Sequence, residues 1–421
     1  MNPSRDLLRT DSRKIITGVD IGTSKIGVVI GELTPDGVVT VLGVGTSPSK
    51  GLRQGVVINL DQAVESISKA MHEAKLTAGV EVKDVVVGIA GDHITSVNSR
   101  GVVAVSKKGQ AITQHDVDRV IDAAKAIALP FDREVLHILP QEFIVDNQGG
   151  IKNPVGISGV RLEAEIHIVT GAVTSAQNIV RSVKKAGLKV AGLVLEPLAS
   201  SSAVLDASEK DLGTALIDMG GGTTDVALFY GGAIRHTAVI GLGGHIVTND
   251  IAHGMRTPLE QAELIKRKVG CATESVVNQG ETFIVPGIGN RSSREVEVSE
   301  LTKIIQPRME EIFGLAGKEI KRSDVGELLG AGIVLTGGGS LLKGADVLAE
   351  EVFNLPATLG VPKGFNGLTA AASSPIFSTG VGLVLFGAGK GEEEVKQFQT
   401  DEDGLFSRMF KWMKKFAEDF I

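Results

Sequence analysis

Short apolar runs separated by turn residues open the chain, and longer segments with helical spacing follow them. The first runs, Ile15–Asp20, Lys25–Glu32 and Val38–Thr46, are bounded by Gly, Pro and Asp and predict three strands. Apolar residues at helical spacing predict a helix at Leu60–Ala78, and the run Val85–Ala90 predicts a further strand. Predicted helices, such as Asp116–Ala128, then alternate with predicted strands until about residue 200, which indicates an α/β architecture.

A second block of strands begins near the middle of the chain. The predicted strands are Ala215–Asp218, Asp225–Tyr230, Ala233–Val239 and Ile333–Leu335, and the predicted helices are Gly244–His253, Thr257–Val269, Glu300–Ile320 and Leu341–Phe353. The Gly-rich apolar segment Ser378–Gly389 predicts a helix that packs closely on a neighbour, because glycine lets two backbones approach each other.

The start of this second block resembles the start of the chain. Asp20 and Asp218 each end an apolar strand and are followed by a Gly-rich turn and a second apolar strand. Such a repeat predicts two related lobes with a cleft between them. The alternative is that two β-hairpins look alike by chance.

Composition excludes several classes of protein. The 421 residues are enough for about two to four domains. A formal net charge of −7 argues against general nucleic-acid binding, which requires a basic surface. Cys271 is the only cysteine, so a reducing compartment is expected. The polar segment Met1–Lys14 does not resemble a secretory signal, and no apolar run is long enough to predict a transmembrane helix.

Three Gly-rich loops that follow apolar strands are the candidate nucleotide site. The residues concerned are Gly22, Thr23, Ser24 and Lys25 in the first loop, Gly220, Gly221, Gly222, Thr223 and Thr224 in the second, and Gly337, Gly338, Gly339 and Ser340 in the third. Glycine lets backbone amides reach phosphate oxygens, and the hydroxyl groups add donors. The third loop precedes the helix predicted from Leu341, whose N-terminus would lie near phosphate. None of the loops matches a P-loop or a dinucleotide fingerprint.

Asp20 and Asp218 predict a magnesium ion, because a carboxylate beside a phosphate loop would otherwise repel the phosphate. Magnesium keeps much of its water shell, so the two carboxylates are expected to hold it mostly through water.

The order of these loops resembles the phosphate and adenosine motifs of the superfamily of actin, heat-shock chaperones and sugar kinases. Segments that start at Glu196-Pro197 and Thr379-Gly380 resemble its two connecting motifs. The resemblance implies an ATP site with Mg²⁺ between Asp20 and Asp218, and it implies that Asp225 supports the second hairpin. It further implies that Glu196 orients water near the γ-phosphate and that Glu263, Lys266 and Gly338 border the adenosine. The alternatives are a solvated Lys25, a surface pair of Glu263 and Lys266, a turn residue at Asp225 and a strand terminus at Glu196.

A more specific resemblance lies before the second half. The segments Gly91-Asp92-His93, His137-Ile138-Leu139-Pro140-Gln141 and Asn153 to Ala164 resemble the bacterial FtsA family, with Ile157 where a methionine is expected. This resemblance implies an actin-like, ribonuclease H-like fold of two lobes with duplicated sheet and helix domains. The implied divisions are a first lobe at 13–85 and 167–197, an FtsA-type inserted subdomain at 86–166, and a second lobe at 198–388 with a smaller subdomain at about 230–330.

The last residues differ in kind from the rest. Residues 389–404 are acidic and are expected to form a disordered linker. On a helical wheel, residues 405–421 separate into an apolar half that includes Phe406, Met409, Phe410, Trp412, Met413, Phe416 and Phe420, and a polar half that includes Arg408, Lys411, Lys414 and Lys415. This pattern predicts an amphipathic helix that binds an anionic membrane surface. The alternative is a helix that docks on the protein's own core or in a partner's groove.

The FtsA resemblance implies a role in bacterial cell division. The chain would tether polymers of the tubulin-like protein FtsZ to the cytoplasmic face of the inner membrane at the septum, polymerise like actin, and help recruit later division proteins. The C-terminal tail of FtsZ would bind the smaller subdomain. ATP hydrolysis would be slow at most. The rival functions are a small-molecule kinase, a chaperone and the actin-like protein of pilus assembly.

Overall fold

The structure is a computed structural model that describes residues 14–105, 111–289 and 291–389. Most of the predicted acidic linker and the whole predicted amphipathic helix at 405–421 lie outside these residues.

The first half of the chain forms two larger sheets, with helices packed on them, and one short two-stranded sheet. In order, its elements are β1 (Lys14–Ile21), β2 (Lys25–Leu33), β3 (Val39–Pro48), β4 (Leu52–Arg53), β5 (Val56–Val57), α1 (Leu60–Ala78), β6 (Asp84–Ile89), β7 (Thr95–Ala104), α2 (Gln114–Ala124), β8 (Arg133–Val145), β9 (Gln148–Ile151), β10 (Arg161–Ala172), α3 (Val173–Lys185), β11 (Lys189–Leu195) and α4 (Glu196–Val204). The predicted bounds of α1 are confirmed. Asn59 caps its first turn, and Gly79 ends it in a left-handed conformation that glycine adopts without strain.

The second half follows the same plan around a sheet of its own. Its elements are α5 (Ala207–Leu212), β12 (Thr214–Met219), β13 (Thr224–Tyr230), β14 (Ala233–Ile240), α6 (Gly244–Met255), α7 (Leu259–Val269), β15 (Thr282–Val285), β16 (Arg294–Glu297), α8 (Val298–Arg322), β17 (Ile333–Thr336), α9 (Ala345–Phe353), β18 (Ala357–Leu359), β19 (Phe365–Gly367), α10 (Thr369–Ala372) and α11 (Ser378–Ala388). Pro307 lies inside α8, which otherwise runs without interruption for 25 residues.

The topology contains the repeat that the sequence predicts. One sheet has the order β11-β6-β1-β2-β3-β19 and the other β14-β13-β12-β17-β18. In both, an antiparallel hairpin (β1–β2 or β12–β13) pairs on its first strand with a parallel neighbour, β6 or β17. Both aspartates therefore lie at the carboxyl end of a central strand, where ligands of open α/β sheets bind.

Helix α11 crosses from the second half back into the first. Its residues Val381, Leu383 and Val384 are buried in the same core as β1 and β2, and β19 pairs with β3. Residues 365–388 thus pack with the first lobe, although the predicted division of the chain places them in the second. Gly382 permits this crossing, since a Cβ there would lie 1.9 Å from the carbonyl oxygen of Ala199 in α4.

One predicted helix starts later than expected. The sequence predicts a helix from Leu341, but Gly338–Leu341 form a single 3-10 turn and α9 begins at Ala345. Gly344, with φ of 76°, separates the two. The predicted start of a helix at Leu341 is therefore wrong. A turn, not a helix N-terminus, shapes the third Gly-rich loop.

Residues between β6 and α3 build a separate small domain, called the insert here. Its sheet has the order β7-β10-β8-β9, and α2 covers one face of it. Buried apolar side chains between sheet and helix, such as Val120, Phe143, Leu162 and Ile166, form its own core. The predicted helix Asp116–Ala128 is confirmed with shifted ends.

Polar side chains of the insert hold it to the edge of the second lobe's sheet. The amide of Gln141 donates to the carbonyl oxygen of Ile234 at 3.0 Å, and the hydroxyl of Ser96 donates to the carbonyl oxygen of Thr237 at 2.9 Å. The buried ring of His167 lies 2.9 Å from the Thr237 hydroxyl. Strand β14 is an edge strand, and these contacts cover part of its edge.

Acid is expected to weaken this junction through His167. Burial lowers the pKa of His167 to about 3, and the nearby His236 acts in the same direction. A histidine in the unfolded chain has a pKa of about 6.5. Stability that depends on neutral His167 is therefore complete above about pH 6.5 and is lost as the pH falls toward 3, by about 2 kcal/mol at pH 5.

Thermal unfolding at neutral pH and near pH 5 tests this expectation. The wild type should lose more stability on acidification than the His167→Gln variant, which has no group to protonate at this position. His253→Gln, at an exposed position, should behave like the wild type. An equal loss in wild type and His167→Gln would contradict the assignment.

Within the described residues, no helix is both long enough and apolar enough to cross a membrane.

Candidate functional site

The tips of the two repeated hairpins meet across a cleft. A Cβ at Gly221 would lie 1.6 Å from the Ser24 hydroxyl oxygen, and one at Gly222 would lie 2.6 Å from the Thr23 hydroxyl oxygen. Only glycine fits at these two positions in this arrangement. The loops that the sequence predicts for phosphate binding are thus brought face to face, one from each lobe.

Both tips are closed by the same backbone hydrogen bond. The amide of Gly22 donates to the carbonyl oxygen of Lys25 at 3.1 Å, and the amide of Gly220 donates to that of Thr223 at 2.9 Å. The hydroxyl of the next residue, Thr224, donates to the carbonyl oxygen of Leu242 at 2.8 Å. The Thr224 hydroxyl therefore fixes the following turn.

Asp218 is held by a side chain from each of the two connecting helices. The Ser200 hydroxyl in α4 donates to Oδ2 of Asp218 at 2.6 Å, and the Thr379 hydroxyl in α11 lies 3.4 Å from the same oxygen. The two hydroxyl oxygens are 3.1 Å apart. Both hydroxyls come from segments that stand out as motifs in the sequence, and the structure shows what they contact.

Four carboxyl groups surround the cleft floor: those of Asp20, Asp218 and Asp225 are buried, and that of Glu196 is half-buried. Burial raises the pKa of Asp20 to about 6, with Lys25 opposing and Asp218 adding to the rise. Burial likewise raises the pKa of Glu196, of Asp218 and of Asp225, and neighbouring carboxylates add to it for Glu196 and Asp225. A cation among these groups would favour their charged forms.

One carboxylate oxygen of this group has no partner. The Thr223 hydroxyl donates to Oδ2 of Asp225 at 3.3 Å, while Oδ1 of Asp225 is buried without a hydrogen bond. In the part of the chain that the structure describes, no three His, Cys, Asp or Glu side chains form a ready set of metal ligands.

Lys25 is half-buried, and its side chain lies against the segment just before α11. Its ammonium group donates to the carbonyl oxygen of Ile376 and lies 4.3 Å from the centre of the Phe377 ring. Burial lowers the pKa of Lys25, against the attraction of Asp20 and Asp218. The lysine thus ties the first hairpin to the segment just before α11.

The third Gly-rich loop lies against the second. A Cβ at Gly337 would lie 2.3 Å from Oδ1 of Asp218, and one at Gly339 would lie 2.8 Å from Cβ of Met219. Gly338 is exposed. The Ser340 hydroxyl is buried and donates to the carbonyl oxygen of Gly337 at 2.7 Å, so it shapes the turn.

Glu263 and Lys266 pair with each other and also with the start of α6. Their charged groups are 2.7 Å apart, and Lys266 donates to the carbonyl oxygen of Gly244 at 2.9 Å and to the Thr248 hydroxyl at 2.8 Å. The pair is therefore more than a surface ion pair, since it fixes α7 against the first turn of α6, the helix beside the second Gly-rich loop.

His245, the second residue of α6, lies at the site although the sequence did not predict it there. Its amide donates to the carbonyl oxygen of Gly221 at 2.8 Å, and its Nε2 lies 2.8 Å from the Ser24 hydroxyl. The signal was the turn Gly241-Leu242-Gly243-Gly244, a fourth Gly-rich turn that follows a strand and opens a helix.

Comparison with known proteins gives the family. Residues 215–382 match the family model described as cell division protein FtsA, and residues 91–170 match the SHS2 domain inserted in FtsA. Cell division protein FtsA of Pseudomonas aeruginosa is 46% identical over 411 residues, which cover 96% of this chain and 98% of that protein. The Escherichia coli K12 protein of the same name is 39% identical over 420 residues, covering 97% and 100%.

The chain belongs to the FtsA family. It is therefore a cell division protein, and the predicted family is confirmed. The match to the SHS2 domain falls on the insert, whose sheet and helix α2 are described above.

Solved structures confirm the predicted actin-like fold. The structure of the PilM–PilN type IV pilus biogenesis complex superposes with a TM-score of 0.65 at 17% identity, covering 89% of this chain and 99% of that one. MreB5 of Spiroplasma citri superposes with a TM-score of 0.55 at 14% identity, covering 96% and 98%. At such identities the likeness concerns the fold alone.

Proposed function

We propose that the chain binds ATP with Mg²⁺ between its two lobes. The observation that carries the proposal is Asp218, which is held by Ser200 and Thr379 at the point where the phosphate loops of both lobes meet. The structures of Spiroplasma citri MreB5, which share the fold, are described as bound to ADP and to AMPPNP. These structures support nucleotide binding in the corresponding cleft of this chain.

The carboxyl groups fit a magnesium ion. Asp20 and Asp218 would hold it mostly through water, and the unpartnered Oδ1 of Asp225 would accept a hydrogen bond from that water. Carboxylate oxygens are ligands that Mg²⁺ prefers. When bound, the ion would neutralise charge on the phosphates. The protein's own contribution is to hold the carboxylates in place through Ser200 and Thr379.

The position of Glu196 supports slow hydrolysis at most. It is the first residue of α4, and its side chain lies against Gly88, where a Cβ would lie 3.0 Å from its Cγ. Burial and the nearby carboxylates raise the pKa of Glu196 well above its usual range. A carboxyl group held neutral can orient water by a hydrogen bond but is a poor base.

We further propose that the chain tethers FtsZ polymers to the cytoplasmic face of the inner membrane at the division septum and helps recruit later division proteins. Membership of the FtsA family supports this role. The two-faced pattern of residues 405–421 in the sequence supports the membrane contact. A single short amphipathic helix binds weakly, so self-polymerisation would supply the avidity by gathering many tails on one surface.

Vesicle co-sedimentation tests the membrane contact. The full chain should pellet with vesicles that contain anionic lipid, whereas a chain that ends at Gly389 should stay in the supernatant. A Phe410→Ser, Phe416→Ser double variant should behave like the shortened chain, because it loses apolar surface, and Glu418→Gln should behave like the full chain. Equal pelleting of full and shortened chains would refute the tether.

A further inference from the structure

His245 touches both phosphate loops of the cleft. Its amide is bonded to Gly221 in the second lobe, and its ring reaches Ser24 in the first. A Cβ added at Gly221 would lie 3.5 Å from Nε2 of His245. Both Ser24 and His245 are exposed, so the contact lies at the open mouth between the tips and not in the packed core.

The first turn of α6 is held rigidly in this place. The amide of Gly244 donates to the carbonyl oxygen of Gly220 at 2.9 Å, and Lys266 donates to the carbonyl oxygen of Gly244. A Cβ at Gly243 would lie 2.7 Å from the carbonyl oxygen of Gly220. The backbone of His245 is thus fixed to the second phosphate loop, and only its side chain is free to exchange partners.

A phosphate oxygen that enters between the two tips would compete with the Ser24 hydroxyl for the same imidazole nitrogen. This competition rests on the nucleotide site proposed above. We propose that His245 binds the phosphate chain of the nucleotide and exchanges its contact with Ser24 for it. The imidazole would then act as a switch between a contact that joins the lobes directly and one that joins them through phosphate.

The charges around the ring give this exchange a pH dependence. Although the residue as a whole is exposed, partial desolvation of its ring between the loops lowers the pKa of His245; Lys266 of α7 lowers it further, and Glu263 of α7 opposes them. The first hairpin presents the uncharged Ser24 to the ring, and the second loop presents backbone groups. A bound phosphate adds negative charge, which raises the pKa of the ring and favours uptake of a proton. Affinity for phosphate should therefore rise as the pH falls.

Calorimetric titration of the full chain with MgATP, MgADP and adenosine, near pH 6 and pH 8, tests the proposal. The wild type should bind both nucleotides at least about threefold more tightly at the lower pH. His245→Ala should bind them about tenfold more weakly, the usual loss for one hydrogen bond to a charged group. Its affinity for adenosine should not change, because adenosine has no phosphate.

Two further variants separate a phosphate contact from a structural role. His245→Gln keeps a donor but cannot take up a proton, so it should retain part of the affinity and lose its own share of the pH dependence. His253→Gln, at the other end of α6, should match the wild type. The proposal is overturned if His245→Gln keeps the full pH dependence, or if His245→Ala weakens adenosine as much as MgATP. A wild type that binds no MgATP would overturn it together with the nucleotide site.

Discussion

MgATP binding is expected to fall about a hundredfold when Asp218 is replaced by asparagine. The asparagine side chain would keep the shape and the contact with Ser200, but the substitution removes a negative charge from the place proposed for Mg²⁺. Binding of a fluorescent ATP analogue in the presence and absence of Mg²⁺ measures the change. The loss should be confined to the Mg²⁺-dependent part of the affinity.

The same substitution should not destabilise the protein without nucleotide. Burial raises the pKa of Asp218, so the folded protein holds its charged form at a cost, and asparagine removes that cost. Asp211→Asn is the matched control, because Asp211 is an exposed partner of Lys152 far from the loops. Unchanged MgATP affinity in Asp218→Asn would show that the ion lies elsewhere.

The largest loss of stability is expected from Gly382→Ala. A Cβ at this position would lie 1.9 Å from the carbonyl oxygen of Ala199 and 2.4 Å from its carbonyl carbon. Both atoms belong to backbone, so α4 and α11 would have to separate. Overpacking of this kind costs about 1–3 kcal/mol and sometimes more. Because the two helices carry Ser200 and Thr379, MgATP affinity should fall with stability.

Gly314→Ala is the matched control for this loss. Gly314 lies inside α8, and a Cβ there would meet no atom within 4 Å. Alanine in a helix interior is about 0.5–1 kcal/mol more favourable than glycine, so the variant should be more stable than the wild type. Chemical unfolding measures the stability of both variants. Equal stability of the two variants would contradict the close packing at Gly382.

Much of the fold could be predicted from the spacing of apolar residues and from the residues that begin or end helices. The helix Leu60–Ala78 has clear helical spacing between an Asn cap and a Gly stop, and both signals are local. The repeat around Asp20 and Asp218 was visible for the same reason. The start of α9 was missed because Gly344, not the apolar pattern, decides where the helix begins.

The site was predictable in its loops and not in its contacts. Glycines and aspartates after apolar strands predict the three Gly-rich loops from local sequence alone, and the structure brings these loops together. Whether the Thr224 and Ser340 hydroxyls face the cleft or the backbone depends on tertiary geometry that spacing does not encode. The pairing of His245 with Ser24 joins residues of two lobes, so no local pattern could reveal it.

The central claim is that a nucleotide-binding FtsA-family chain links FtsZ polymers to the membrane. The most direct test of this claim is co-sedimentation of FtsZ polymers with anionic vesicles in the presence of the full chain and MgATP. FtsZ should pellet with the vesicles when the full chain is present, and should remain in solution when the chain ends at Gly389. A full chain that binds MgATP and pellets with the vesicles, yet leaves the FtsZ polymers in solution, would contradict the claim.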